Sequence, residues 1–364
     1  MLSMLIGPTR MSANVLASIG VQAAAIDDPG FLRVFRGCLE GVRRVHGQTP
    51  GGGTAIIPGT GTAGMEALAQ SFVPRTAKAA VIITGNWGRR WGEICQRIGG
   101  SVHEIVVPHD RPVDIEALSR AIEAVPGSVV FATHVDSSTG LILDLEPVAE
   151  AVRRSDGLFL VDAICSAAAE PLYQSTWGVD VVLSSTPKAI GAPAGLFMVT
   201  ANDRARRALG RRRWTPPGFA LDLGPWLEAS AALEEGEFRY HQSPAGNLIA
   251  ALGTALWEIE EEGLGARWQR HLHLSRRLHR GLDELGLRVL VDTPADRARG
   301  VTVCYYPEGC GSSVLDAVRG SGVALPPGTL QGLATRTFRI GHLGRVTEED
   351  VELTLSALGQ ALRR

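Results

Sequence analysis

Short apolar runs alternate with amphipathic segments over the first 260 or so residues of the chain. Runs rich in β-branched and aliphatic residues predict buried strands, and apolar side chains that recur every three or four positions predict helices that cover them. This alternation is typical of an α/β protein with a mainly parallel sheet and helices on both faces. The predicted strands include 54–58, 79–84, 157–162 and 179–182, and the predicted helices are 31–46, 63–72, 88–98, 115–124 and 145–154.

The pattern changes after Gly263, where a long amphipathic helix begins that ends near Leu285. It is followed by predicted strands at 289–291 and 301–305, a short helix from Ser313, a strand that carries Arg339 and a last helix from 348 to 362. We expect a smaller α+β domain that closes over a site on the larger one. The predicted bounds are an N-terminal arm at 1–14, a large domain at 15–262 and a small domain at 263–364.

Lysine is nearly absent: of the 36 residues that are Lys or Arg, only Lys78 and Lys188 are lysines. An amine can deprotonate and attack an aldehyde, whereas a guanidinium stays protonated. Lys78 stands directly before an apolar run and is interpreted as a solvated charge at the start of a strand. Lys188 follows the apolar run 179–182 in a loop of small residues, where an open α/β sheet presents groups to a ligand. From this segment alone, a lysine in an ordinary surface turn is an equally good interpretation of Lys188. Its neighbours in the sequence decide between the two.

Asp162 closes the strand-like run 157–162, which lies 26 residues before Lys188. Such a carboxylate could keep a pyridine nitrogen protonated and so make the ring an electron sink. An aspartate at this position is also a common turn former. The lysine at the end of the next predicted strand favours the cofactor role.

A glycine-rich turn, Gly59-Thr60-Gly61-Thr62-Ala63-Gly64, joins a strand to a helix. Backbone N–H groups at such a turn bind a phosphate, and the helix N-terminus adds favourable partial charge. The same spacing occurs in dinucleotide-binding domains, which need an acidic residue after the next strand. Here that strand is followed by Gly85-Asn86-Trp87-Gly88, which has no acid. Trp87 there suits stacking on a flat cofactor, although a tryptophan packed in the core is the usual alternative.

Together these segments resemble the class V, fold-type I pyridoxal-phosphate enzymes, and most of all the alanine–glyoxylate and serine–pyruvate aminotransferase family. The similarity extends from Gly7-Pro8-Thr9 to the strand of Arg339, nearly the whole chain. The ordered set is specific, while each member alone is weak. It comprises 59–62, 85–88, His134-Val135-Asp136-Ser137-Ser138-Thr139-Gly140, Val161-Asp162, Lys188 and Tyr240-His241-Gln242-Ser243-Pro244.

The resemblance implies a seven-stranded sheet, pyridoxal 5′-phosphate as cofactor, and a role for each matching residue. Lys188 would form the internal aldimine and then move a proton between the substrate α-carbon and the cofactor. Asp162 would pair with the pyridine nitrogen, and Arg339 would bind the substrate carboxylate with a bidentate fork. The remaining contacts implied are Trp87 stacked on the ring, Ser137 near it, Thr60, Gly61 and Thr62 at the phosphate, and Tyr240 and Ser243 at the phosphate of the neighbouring subunit in a homodimer.

Two departures from the family pattern bear on the substrate. Pro187 stands where many relatives have Gln or His, so a side-chain donor to the phosphate is lost or replaced. Asp27 and Asp28 stand where many relatives have a His-Arg pair. They are expected to cap the helix that begins near Phe31, and if they instead face the pocket they would favour a cationic substrate group.

Composition is that of an ordinary globular enzyme, with 45% hydrophobic residues and a net charge of −2. This charge argues against a general nucleic-acid binder, and no apolar run approaches the roughly 18 residues of a membrane helix. The five cysteines form no C-x-x-C pair, so neither a disulfide scaffold nor a zinc site is expected. His271 and His273 fall on different faces of a helix and are expected to be solvated. The cytoplasm is the default location, and no metal is expected.

The sequence therefore predicts an aminotransferase that moves an amino group from an alanine- or serine-type amino acid to a glyoxylate- or pyruvate-type 2-oxo acid by a ping-pong path. A lyase, racemase or epimerase on the same fold stays open. A cysteine desulfurase is disfavoured, because 322–328, where its nucleophile would stand, has no thiol. A nicotinamide-dependent oxidoreductase is disfavoured by the missing acid after the second strand.

Overall fold

A computed structural model describes residues 1–75 and 77–363 of the chain. A seven-stranded sheet has the order β2-β10-β9-β8-β5-β3-β4. All its strands run in the same direction except β10, which is antiparallel to both of its neighbours. Its strands are β2 (Gly53–Pro58), β3 (Lys78–Ile83), β4 (Ser101–Val106), β5 (Val129–Thr133), β8 (Leu158–Asp162), β9 (Val181–Ser185) and β10 (Leu196–Ala201).

Helices cover both faces of this sheet, because alternate side chains of each strand point to opposite faces. Ile56 and Ile82 pack with one group of helices, whereas Ile57 and Ile83 pack with the other. This confirms the predicted α/β architecture. The helices of residues 1–262 are α1 (Ala13–Ile19), α2 (Pro29–His46), α3 (Gly61–Phe72), α4 (Asn86–Arg97), α5 (Ile115–Glu123), α6 (Leu145–Arg154), α7 (Gln174–Trp177), α8 (Asp203–Arg211), α9 (Leu223–Glu234) and α10 (Gly246–Glu262).

A separate hydrophobic cluster lies in the C-terminal part of the chain and includes Met4 from the N-terminus. Three two-stranded sheets complete the fold; two of them lie in this part and the third, β6 with β7, follows β5. The remaining elements are β1 (Leu2–Ser3), β6 (Val135–Asp136), β7 (Leu141–Ile142), α11 (Leu264–Glu284), β11 (Val301–Tyr305), α12 (Ser313–Gly320), β12 (Val323–Ala324), β13 (Thr337–Gly341) and α13 (Glu348–Ala361).

Two sequence expectations in this part are wrong. No strand forms at 289–291, where Val289 makes a single bridge to Cys304. The Nε atom of Arg297 donates a hydrogen bond to the carbonyl of Val291. This carbonyl is therefore not used in strand pairing, and the segment leaves the sheet after one residue. His271 is fully buried in α11 rather than solvated, and both of its ring nitrogens contact backbone groups.

The helix that starts near Phe31 begins at Pro29, and Asp28 is its N-cap. The Oδ1 atom of Asp28 accepts a hydrogen bond from the backbone N–H of Phe31 at 2.8 Å. The structure thus supports the capping interpretation of this residue. No helix among residues 1–75 and 77–363 is both long enough and apolar enough to cross a membrane.

Candidate active site

Five parallel strands end at the same edge of the sheet and are followed by polar or glycine-rich turns. The strands are β2, β3, β5, β8 and β9, and the residues that follow them include Gly61, Trp87, Ser137 and Lys188, with Asp162 as the last residue of its own strand. Ligands bind at the carboxyl ends of strands in open α/β sheets. Sequence-distant residues are therefore brought together here.

Lys188 lies partly buried in the loop after β9, and its Nζ atom donates to the carbonyl of Ile6 at 3.2 Å. The loop is held by Thr9, whose Oγ1 donates to the carbonyl of Lys188 at 2.6 Å and whose N–H donates to that of Pro187 at 3.2 Å. Gly7 lies against the amine so closely that an added Cβ would stand 2.7 Å from Nζ. The N-terminal segment thus forms one wall of the lysine site, which the sequence did not predict.

Asp162 is 3% exposed, and its Oδ1 accepts a hydrogen bond from the N–H of Ile164 at 2.8 Å. Its other oxygen makes no hydrogen bond to the described part of the chain. Burial raises the pKa of this carboxyl to about 7; the N–H of Ile164 and the amine of Lys188 lower the pKa, and Asp136 raises it. A buried carboxyl with a free oxygen is suited to a cationic partner such as a protonated pyridine nitrogen.

The turn after β2 leads into α3, whose first residues are Gly61 and Thr62. Thr60 is the N-cap and accepts a hydrogen bond from the N–H of Ala63 at 3.2 Å. Thr60 and Thr62 are exposed, and an added Cβ on Gly61 would stand 2.5 Å from the side chain of Ile164. The helix N-terminus is therefore next to the turn after Asp162, where its free N–H groups suit a phosphate.

Trp87 lies in the first turn of α4 and its indole Nε1 donates to Ser137 Oγ at 2.8 Å. Asp136 holds the same turn, because its Oδ2 accepts from the N–H of Trp87 at 2.9 Å and from that of Gly88 at 3.4 Å. Gly85 has to be a glycine, since a Cβ there would stand 2.5 Å from Asp136 and from Ser138. Sequence reasoning gave no role to Asp136, although it lies in the family segment 134–140. Its partner Trp87 is 49 residues away along the chain, so the contact could not be predicted from local pattern.

Asp136 is fully buried, and burial raises its pKa; four hydrogen bonds, from Ser138, Trp87 and Gly88, lower it. The N-terminal dipole of α4 favours the ionised form. The hydrogen bonds of Asp136 hold the first turn of α4, which carries Trp87.

Arg339 of β13 reaches the same region from the C-terminal part of the chain. Its Nη1 donates to the carbonyl of Ser137 at 3.4 Å, and its Nε donates to that of Pro327 at 2.9 Å. Partial burial lowers its pKa from the ordinary value, and the nearby groups Cys165 and Asp136 raise it. The guanidinium is thus oriented with one N–H edge left for a carboxylate.

Tyr240 and Ser243 are not brought to this site within one chain. They lie in the segment between α9 and α10, where Tyr240 is 63% exposed and its hydroxyl is 3.2 Å from Ser243 Oγ. The other predicted residues lie at or beside this sheet edge, and hydrogen bonds join Trp87 to Ser137 and Arg339 to Ser137. These residues offer an amine, a carboxyl, an indole face, a helix N-terminus and a guanidinium, which together fit pyridoxal phosphate and an amino acid.

Comparison with known proteins agrees with this geometry. The chain is 28% identical over 365 residues to mouse (Mus musculus) alanine–glyoxylate aminotransferase, covering 98% of this chain and 86% of that one. Its structure is similar to that of ureidoglycine–glyoxylate aminotransferase from Bacillus subtilis, with a TM-score of 0.92, 28% identity and coverage of 100% and 92%. It is equally similar to an alanine–glyoxylate aminotransferase from Nostoc sp., with a TM-score of 0.92, 30% identity and coverage of 99% and 95%.

A family profile described as aminotransferase class-V matches residues 35–353, which include every predicted site residue. This match removes the nicotinamide-dependent oxidoreductase from consideration. The class-V aminotransferase family implies pyridoxal phosphate as cofactor, in keeping with the groups that meet at the sheet edge. The chain therefore belongs to the class-V aminotransferase family.

Proposed function

We propose that this enzyme transfers the amino group of a small amino acid of the alanine or serine type to a small 2-oxo acid of the glyoxylate or pyruvate type, by a ping-pong path. The observation that carries the proposal is the meeting of Lys188, Asp162 and Arg339 at one sheet edge. The relatives named for alanine and glyoxylate support the choice of substrates.

Pyridoxal phosphate, when bound, supplies an aldehyde and an aromatic ring that accepts electron density. Lys188 would bind the aldehyde carbon and then move a proton at the substrate α-carbon. Its Nζ makes one hydrogen bond to the described chain, to the Ile6 carbonyl, which supports this role because the amine is not held in an ion pair. Asp162 would hold a proton on the ring nitrogen through its free oxygen. Trp87, held by its hydrogen bond to Ser137, would stack on the ring, and Arg339 would orient the substrate by its carboxylate.

The walls of the site support a small substrate. On one side Gly7 packs against the lysine amine. On the other, Asn86 is bound to the loop that precedes β13, since its side chain donates to the carbonyl of Thr329 and accepts from the N–H of Gln331. The loop thereby lies over the first turn of α4 beside Trp87. These two walls favour a small substrate in the proposal.

A homodimer with shared sites completes the proposal. Tyr240 and Ser243 stand exposed together with Phe219, and Leu16 and Val21 are also exposed on or beside α1. Exposed apolar side chains that form one patch are typical of a surface covered by a partner, and the proposal is that these residues form such a patch in the dimer. A second copy that covers them would bring Tyr240 and Ser243 to the phosphate at its partner's α3.

The test is the visible absorption of the purified enzyme with a panel of amino acids and no oxo acid. We expect the cofactor band to be replaced by that of the aminated cofactor fastest with alanine or serine, and glyoxylate or pyruvate to restore it. Borohydride should fix the cofactor on Lys188, as located by mass spectrometry, and Lys188→Ala should lose both band and turnover. Release of oxo acid and ammonia without amination of the cofactor would show a lyase, and an unlabelled Lys188 would refute the site.

A further inference from the structure

A buried guanidinium contacts the backbone of the lysine loop. Arg267 lies in the first turn of α11 and is 5% exposed. Its Nη2 donates to the carbonyl of Ala189 at 2.5 Å, and its Nε donates to that of Ala168 at 3.0 Å. Its Nη1 is paired with Glu262 Oε2 at 2.5 Å. All three nitrogens of the fork are thus used.

Both carbonyls belong to segments that carry proposed catalytic groups. Ala189 is the residue after Lys188, and Ala168 ends the turn that follows Asp162. Ala168 has a φ of 65°, a left-handed conformation that is uncommon for a residue with a side chain. Such a conformation persists when surrounding contacts hold it, and the Arg267 bond is one of them.

The same helix also contacts the loop that follows the strand of Arg339. One turn after Arg267, the His271 ring accepts a hydrogen bond at Nε2 from the N–H of Gly344 at 3.0 Å, and its Nδ1 lies 2.8 Å from the carbonyl of Arg267. Gly344 lies three residues after the end of β13. The start of α11 therefore touches the lysine segment, the aspartate segment and the loop that follows the arginine strand.

We propose that Arg267 is a positioning residue for the reaction: its fork fixes the Lys188 loop against the turn after Asp162, so that amine and carboxyl are held at a set separation. The inference rests on the proposed roles of Lys188 and Asp162. A guanidinium suits the task because it presents several N–H groups in one rigid plane, which an ammonium does not. A displacement of about 1 Å at a reacting group is enough to slow a reaction by roughly a hundredfold.

Arg270 provides a matched control on the same helix. It also pairs with Glu262, at 2.7 Å, and its Nη1 donates to the carbonyls of Gly344 and Val346 at 3.1 Å. It makes no hydrogen bond to 163–170 or 186–191 in the described part of the chain. Arg267→Met and Arg270→Met thus remove the same charge next to Glu262 but different backbone contacts.

The first measurement is amide hydrogen exchange of the full-length protein, with and without added pyridoxal phosphate. Arg267→Met should raise exchange in both 163–170 and 186–191, whereas Arg270→Met should leave both segments as in the wild type and raise exchange near 344–346. The second is steady-state kinetics. Arg267→Met should lower kcat about tenfold or more with KM for the amino donor changed by less than about threefold, and Arg267→Lys should recover part of kcat.

Equal changes in the two methionine variants, or unchanged protection of 186–191 in Arg267→Met, would overturn the proposal and make Arg267 a general structural residue. If Arg267→Met fails to fold, Arg267→Lys carries the exchange test with the same two outcomes. Exchange of the cofactor-free protein does not depend on what Lys188 does. A failure of the proposed function would appear instead in the Lys188→Ala spectrum, so the two failures are distinguishable.

Discussion

At the scale of single residues, function here depends on groups whose surroundings set their protonation and their free space. Asp162 is buried without a full set of donors, which raises its pKa to about 7. The absence of a side chain at Gly7 leaves room for the amine of Lys188, which a Cβ at this position would displace. Both features are local, and each leads to a direct prediction.

Without cofactor, Asp162 should make the protein less stable as the pH rises. Its folded pKa, about 7, is above the unfolded value of about 3.9, so the folded state binds more protons between these values and stability falls across that window. Asp162→Asn should therefore be more stable than the wild type at pH 8, by on the order of 4 kcal/mol since the folded pKa lies about three above the unfolded one, with the gain absent near pH 4. Thermal unfolding of the cofactor-free proteins at both pH values checks this. A gain that is the same at both would contradict the shifted pKa.

Gly7→Ala should impair the lysine without unfolding the protein. Its Cβ would stand 2.7 Å from Lys188 Nζ and 2.9 Å from the Pro187 carbonyl, so the side chain or the segment has to move. We expect kcat to fall by roughly tenfold or more, measured by steady-state transamination. Gly37→Ala in α2 is the control, because a Cβ there meets nothing within 4 Å. A Gly7→Ala enzyme as active as the control would show that this wall is not close to the reacting amine.

At the scale of elements, the site is a set of strand ends and helix starts, and their caps are shared with the chemistry. The first turn of α4 carries Trp87. Asp136 of β6 accepts hydrogen bonds from the N–H groups of this turn. An ordinary N-cap residue precedes its helix in sequence, and its side chain accepts hydrogen bonds from the first N–H groups of that helix. Here the same carboxylate positions a ring that is proposed to stack on the cofactor.

Asp136→Ala should therefore lower both stability and cofactor affinity. Loss of a buried acceptor for several N–H groups should cost on the order of 2–3 kcal/mol. Asp114→Ala removes the cap of α5, which accepts from the N–H of Ala117 at 2.8 Å away from the site, and should cost about 1 kcal/mol with affinity unchanged. Denaturant unfolding and cofactor titration measure the two effects. Equal cofactor affinity in the two variants would remove Asp136 from the site.

At the scale of the whole molecule, the N-terminal segment, the large sheet and the C-terminal part all contribute to one site. Lys188 and Asp162 come from the sheet, Ile6 and Gly7 from the N-terminus, and Arg339 from β13. Tyr240 and Ser243 complete the site only if a second copy supplies them. The division into domains at 1–14, 15–262 and 263–364 stays a prediction.

Shared sites predict recovery of activity in a mixture of two impaired enzymes. Lys188→Ala lacks the amine, and Tyr240→Ala should bind the cofactor weakly. A mixed dimer contains one site with both native residues. If subunits exchange freely in an equal mixture, about half of the dimers are mixed, so we expect up to about half as much activity as one native site in every dimer would give. Activity of the mixture is compared with the sum of the separate enzymes. No recovery in a mixture proven to contain mixed dimers would contradict a shared site.

Much of the architecture could be predicted from periodicity, because burial on both faces of a parallel sheet leaves strong apolar runs between amphipathic helices. Helix α6 was predicted at its observed bounds, and Asp28 was expected as a cap from its position before an apolar pattern. The chemistry of Lys188 and Asp162 could also be proposed, since their residue types at successive strand ends are informative without knowledge of contacts.

Contacts between distant segments required the folded chain. The sequence does not show that Asp136 holds Trp87, that Gly7 lies on Lys188, or that Arg267 binds the carbonyls of Ala168 and Ala189, because each pair is remote along the chain. His271 was misjudged for the same reason: helical spacing gives the face of a helix but not what packs on it. Local pattern encodes which elements form and which groups end them, whereas packing alone decides which of those groups meet.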